Sequence, residues 1–141
     1  MTDTIRTPAQ ENFSVSGEIM HGKHLGRTLG FPTANLACPA RPDLPATGVY
    51  IAAMEVFTGP YAGQTLPCVL NQGKQPTAPS GITTVEAFVL NFSGDLYNAQ
   101  VTMHYLHFLR PEQKFESLDA LNAQLALDVH HASEYFAANP L

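Results

Sequence analysis

Charged residues are scarce in this chain: they make up 13% of its 141 residues, against 45% hydrophobic. That composition excludes a disordered or strongly ionic protein and predicts a compact fold. The charge that is present is unbalanced, with 7 Lys plus Arg against 12 Asp plus Glu and a formal net charge of -5. Such a chain has no overall field to hold a polyanionic duplex, so nucleic acid is not an expected partner. A small phosphate-bearing ligand needs only a local pocket of donors and stays open.

Cysteine is nearly missing. Cys38 and Cys68 form neither a CxxC motif nor a disulfide-rich framework, and the N-terminus lacks the basic and apolar regions of a signal peptide. The expected compartment is the reducing cytoplasm. No apolar run is long enough to cross a bilayer, so a soluble protein without a membrane partner is expected. There is no GxSxG and no partner signature around either Cys, which leaves nucleophilic hydrolase chemistry without support. Repeats and low-complexity segments are absent too. The length suits one domain, expected as a loose lead-in over 1–12 and a single domain over 13–138.

What the sequence does contain is a series of strand signals. Phe13, Val15, Gly17 and Ile19 alternate with polar residues and should face a core. Four further strand candidates, rich in Val, Ile, Tyr, Phe and Thr, run Gly48 to Phe57, Leu66 to Asn71, Thr84 to Phe92 and Gln100 to Phe108. Asn91-Phe-Ser-Gly-Asp-Leu reads as a hairpin turn between the last two. From Met20 to Pro45 the chain carries Gly22, Gly26, Gly30, Pro32, Pro39, Pro42 and Pro45, and reads as an ordered functional loop.

After Arg110-Pro111 the period changes. Leu118, Leu121, Leu125, Val129, Ala132 and Phe136 recur at helical spacing, Ser117 is placed to cap, and Asp119 lies in the first turn. Strands followed by one helix predict an all-β core, a small antiparallel barrel or strongly curved sheet with a C-terminal α-helix across it. No helical pattern separates the strands, which excludes a Rossmann-type alternation.

Gly17-Glu-Ile-Met-His-Gly22-Lys23 is a near miss to a P-loop. His24 stands where a hydroxyl is needed, and Gly26, Gly30 and Pro32 prevent the helix that should follow. The glycines at 22, 26 and 30 nonetheless let backbone N–H groups approach a ligand, and Lys23 and Arg27 add positive charge. Thr33 and Asn35, two apart, offer hard oxygen ligands suited to magnesium completed by substrate phosphates. Read alone, Pro32-Thr-Ala-Asn is more readily a plain polar turn than a pair of metal ligands.

Glu86 interrupts the apolar run Val85-Glu-Ala-Phe-Val-Leu and shares a face with Phe88 and Leu90. It is either a carboxylate at a pocket mouth, able to accept a proton from a substrate hydroxyl, or an edge-strand Glu reaching solvent. The six histidines do not read as a zinc site: His104 and His107 are expected on opposite strand faces, and His21 and His24 lack further ligands.

Four blocks make the chain resemble the riboflavin kinase family from about Phe13 to Phe136: Gly26-Arg-Thr-Leu-Gly-Phe-Pro-Thr-Ala-Asn-Leu36, Gly48-Val-Tyr50, Gly94-Asp-Leu-Tyr97, and Phe108-Leu-Arg-Pro-Glu-Gln-Lys-Phe115 with Ser117-Leu-Asp-Ala-Leu121. The resemblance implies a small antiparallel Greek-key barrel with a C-terminal helix. It implies conversion of riboflavin and ATP to FMN and ADP with Mg2+ or another divalent cation. It further implies Thr33 and Asn35 as metal and phosphate ligands, Glu86 as general base, Gly22 and Arg27 in the ATP loop with Thr33, and Arg110 and Gln113 at the flavin.

Three departures stand out. Asn71-Gln-Gly-Lys-Gln-Pro-Thr77 has Gln72 where the family usually has an apolar residue and Gln75 where it has arginine, and Asn98 replaces a usual glycine. Many bacterial relatives also fuse this domain to an FAD synthetase, for which these 141 residues leave no room. The leading expectation is a monomeric, cytoplasmic riboflavin kinase. The alternatives are a flavin- or FMN-binding module with little catalysis and a structural barrel that binds a protein.

Overall fold

The computed structural model describes residues 13–20, 33–39, 47–74, 82–92 and 94–141. Six strands run β1 Ser14–Met20, β2 Thr33–Pro39, β3 Gly48–Val56, β4 Thr65–Lys74, β5 Ile82–Val89 and β6 Gln100–Arg110, and helix α1 spans Leu118–Ala138. The strands close into a barrel in the order β1-β2-β5-β4-β3-β6, with every pairing antiparallel. β3, β4 and β5 are consecutive neighbours and β6 returns beside β3, which is the Greek-key arrangement.

Alternation sorts the side chains onto two faces. The inner face supplies Ile19, Leu36, Tyr50, Met54, Leu70, Val85, Met103 and Tyr105, all 2% exposed or less. Burying such side chains contributes roughly 1.5–3 kcal/mol each. Tyr105 sits at the centre of an aromatic group, 4.9 Å from Tyr50 and 5.1 Å edge-on from Phe13 between ring centroids. Gly17 lies on this face for a steric reason: a Cβ there would come within 2.6 Å of Leu36 Cδ1.

The outer face carries a second, smaller cluster. Val49, Ile51, Val69, Phe88 and Leu90 pack with Val129, Ala132, Tyr135 and Phe136 of α1. Ser117 caps this helix, its Oγ accepting from Ala120 N at 3.1 Å, and Asp119 stands in the first turn as the sequence indicates. At the other end, Asn139 N donates to Tyr135 O at 2.8 Å.

Several expectations need correction. Thr33–Pro39 lies inside the stretch read as loop, yet it is a full barrel strand paired with both β1 and β5. The glycines and prolines that suggested a loop flank the strand: Thr-Ala-Asn-Leu-Ala-Cys contains neither, and Pro39 is its last residue. Asn91 does reverse the chain with φ 52°, but β5 and β6 are not paired, so the connection is no hairpin. It carries the chain across to β1 and β3 instead.

Leu118 is 58% exposed rather than part of the packed stripe, and the stripe's deeply buried members are Ala132 and the unexpected Asp128. His104 and His107 share the outer face, because β6 slips register against β3 between them. They have separate partners, Glu55 at 2.9 Å for His104 and the Tyr135 ring at 5.7 Å for His107.

Candidate functional site

Glu86 belongs to an interior strand of the barrel, paired on one side with β2 and on the other with β4. The edge-strand reading is thereby excluded. Val85 and Ala87 point into the core, so Glu86 points outward, where it is half-buried. Its direct cross-strand partners are Asn35 on β2 and Asn71 on β4. Ala34, Leu36 and Leu70 occupy the inner face beside them, which turns both asparagines to the same outer surface as Glu86. Directly opposed residues have Cβ atoms about 4.5–5.5 Å apart. A carboxylate is therefore flanked by two carboxamides in one row across three strands.

Phe88 stands two residues along on the face of Glu86, packed into the cluster under α1. The carboxylate thus adjoins a polar row on one side and an apolar patch on the other.

Thr33 pairs with Phe88 in β2, two residues from Asn35. Gly22 and Arg27 lie outside the described residues, as does Gln75. Asn35 fits a magnesium ligand by its chemistry, a neutral oxygen donor next to a carboxylate on an accessible face. Among the described residues no group of three or more His, Cys, Asp or Glu is placed to hold a metal by itself. A cation here would depend on phosphate oxygens for further ligands.

The second part of the face is the crossing after β6. Arg110 ends β6 opposite Val49, and Val49 in turn pairs with Asn71, which extends the same transverse row. The Arg110 guanidinium donates from Nε to Asp128 Oδ1 at 3.0 Å and from Nη2 to Asp128 Oδ2 at 2.8 Å. Asp128 is 2% exposed and also accepts from Gln124 Nε2 at 3.1 Å. Arg110 Nη1 reaches Pro111 O at 3.3 Å, and the Phe115 ring lies 5.9 Å from Arg110 Cζ.

From there the chain returns over β4. The Glu112 carboxylate lies so close to Gly73 that a Cβ at that position would meet its Oε2 at 2.5 Å. Gly73 is the diagonal neighbour of Glu86, since Asn71 pairs with Glu86 and Gly73 with Thr84. Diagonal neighbours are about 7–8 Å apart, so the crossing and the carboxylate row share one surface. Gln113 is exposed between Glu112 and Phe115.

Two of these residues escaped the sequence reading as site candidates. Asn71 was visible as the first residue of a family block, but its place beside Glu86 is a matter of register. Asp128 gave one signal, a carboxylate three residues after Leu125 and next to Val129 on an apolar helix stripe.

The departures at Gln72 and Asn98 have physical explanations. Gln72 points into the barrel, 1% exposed, and its Oε1 accepts from the Tyr105 hydroxyl at 2.7 Å. A core tyrosine thus supplies the partner that a buried carboxamide requires. Asn98 adopts φ 69°, the left-handed conformation that glycine usually provides.

A half-buried carboxylate flanked by two carboxamides, on the outer face of a closed barrel, is an arrangement suited to group transfer between bound substrates. The Flavokinase model, described as riboflavin kinase, matches residues 9–136, and the chain belongs to the riboflavin kinase family. The bifunctional riboflavin kinase/FMN adenylyltransferase of Pseudomonas fluorescens is 40% identical over 118 residues, covering 83% of this chain and 36% of that protein. The chain therefore spans little more than a third of that relative's length.

Among solved structures, a crystal structure described as a macrolide-efflux protein from Streptococcus pneumoniae superposes with a TM-score of 0.73 at 31% identity, over 85% of this chain and 38% of that one. A riboflavin kinase from Trypanosoma brucei shares the fold, with a TM-score of 0.58 at 23% identity over 88% of this chain and 79% of that one.

Proposed function

We propose that this chain transfers the γ-phosphoryl group of ATP to the terminal ribityl hydroxyl of riboflavin, giving FMN and ADP. The observation that carries the reading is the position of Glu86, half-buried between Asn35 and Asn71 on the face crossed by the segment after Arg110. The Glu86 carboxylate accepts the hydroxyl proton as that oxygen forms its bond to the γ-phosphorus and the bond from phosphorus to the ADP oxygen breaks. Proton abstraction requires a carboxylate that solvent or substrate can reach, and half-burial on an outer face supplies that.

Asn35 and Thr33 are the residues that would hold Mg2+ or another divalent cation. When bound, the ion supplies charge neutralisation on the phosphates. Gly22, Arg27 and Thr33 are assigned to the nucleotide. Gln113, exposed on the crossing, is assigned with Arg110 to the flavin side. Catalysis then rests on position and charge, with little covalent work left to the protein.

The reading carries a cytoplasmic monomer with small-molecule substrates and no nucleic-acid or membrane partner. The net charge of -5 is what disfavours a polyanionic partner. Incubation of the purified chain with riboflavin, ATP and Mg2+ tests the kinase reading: FMN and ADP should appear in equal amounts, and flavin binding without FMN would contradict it.

A further inference from the structure

On the reading just given, we propose that Arg110 acts on the flavin indirectly. Its buried ion pair with Asp128 is a latch that sets the position of the 111–117 crossing, and Asp128 is a positioning residue of the flavin site.

The guanidinium is already committed. Nε and Nη2 make a fork-to-fork pair with the two Asp128 oxygens, and Nη1 turns back to Pro111 O. Asp128 is equally occupied, since its Oδ1 also takes the Gln124 amide. Arginine is the residue suited to this, because its planar donors fix direction as well as distance.

Stability does not explain the pair. A buried ion pair is often no more stabilising than well-packed apolar side chains of similar volume. Asp128 adjoins Val129 and lies one turn from Ala132, both packed against the barrel, so an apolar residue could have served there. What the pair adds is orientation. It ties the last residue of β6 to the middle of α1, 18 residues later. The crossing between them is then pinned at successive points: Pro111 O by Nη1, Glu112 against Gly73, Phe115 near the guanidinium, and Ser117 in the helix cap. Gln113 is exposed on the stretch between these points, and Gly73, beside which Glu112 lies, is the diagonal neighbour of Glu86. A shift of the latch therefore displaces the groups that the crossing offers to the flavin, and binding lost in this way reads out as a raised riboflavin KM.

The test is steady-state kinetics of Asp128→Asn, which keeps the shape and removes the charge. The riboflavin KM should rise by roughly 10- to 100-fold while the ATP KM stays within about twofold. Arg110→Lys, which keeps the charge but not the fork, should show the same selectivity, and it decides the question by the same two constants if Asp128→Asn does not fold. The double variant Arg110→Gln/Asp128→Asn should be no worse than Arg110→Gln alone. A wild-type riboflavin KM in Asp128→Asn, or a double variant much worse than Arg110→Gln, would overturn the latch, as would a fall in kcat with both KM values unchanged. If the wild-type chain makes no FMN, the kinase reading fails separately. The latch is then judged by hydrogen exchange of amides 112–117, where faster exchange in Asp128→Asn supports it and unchanged exchange refutes it.

Discussion

Asn35 and Glu86 are direct cross-strand partners on the outer surface of the barrel, with Asn71 on the opposite side of the same carboxylate. On the proposed function this register puts the metal ligand beside the base, so that a nucleotide held through Asn35 would present its phosphate next to Glu86. Asn35→Ala should raise the Mg2+ concentration for half-maximal turnover by about tenfold or more. Magnesium titrations of FMN formation at saturating riboflavin check this, and an unchanged requirement would remove Asn35 from the metal site.

Gln72 and Tyr105 form a buried hydrogen bond inside the barrel. Gln72→Leu restores the apolar character usual in the family but removes the carboxamide that accepts from the Tyr105 hydroxyl, at a cost of about 1–3 kcal/mol. The double variant Gln72→Leu/Tyr105→Phe should recover most of that loss. Urea unfolding of both variants measures the difference. Equal stabilities would mean that the hydroxyl finds another partner.

Much of the fold was legible in the sequence, because β1 alternates apolar and polar residues, β3 is a near-continuous run of apolar, largely strand-favouring residues, and the helical period begins after Ser117. The strand at Thr33–Pro39 was not, since flanking glycine and proline masked a short stretch that contains neither until its last residue. The Asn91 turn was recognised as a reversal, but strand pairing is a long-range choice that local turn chemistry does not encode. At the site, residue types pointed to Glu86 and Asn35. Their adjacency, the place of Asn71 and the burial of Asp128 depend on register and helix packing, which no spacing in the chain expresses.

Cys68 lies fully inside the barrel, and burial pushes its thiol well above the usual range. Its neutral form is favoured in the fold, so its contribution is intact below the unfolded pKa of about 8.5 and is lost progressively as pH rises beyond it. Unfolding free energies from pH 8 to 10 should fall less steeply in Cys68→Ala than in the parent. Identical slopes would show that the thiol does not contribute.

The central claim is that Glu86 takes the proton from the flavin hydroxyl. Its most direct test is the rate of FMN formation by Glu86→Gln, with both KM values determined. The account predicts a fall in kcat of about 10²- to 10⁴-fold, with the KM for riboflavin and for ATP each within about threefold of the parent. A Glu86→Gln enzyme that makes FMN at the parental kcat would contradict it.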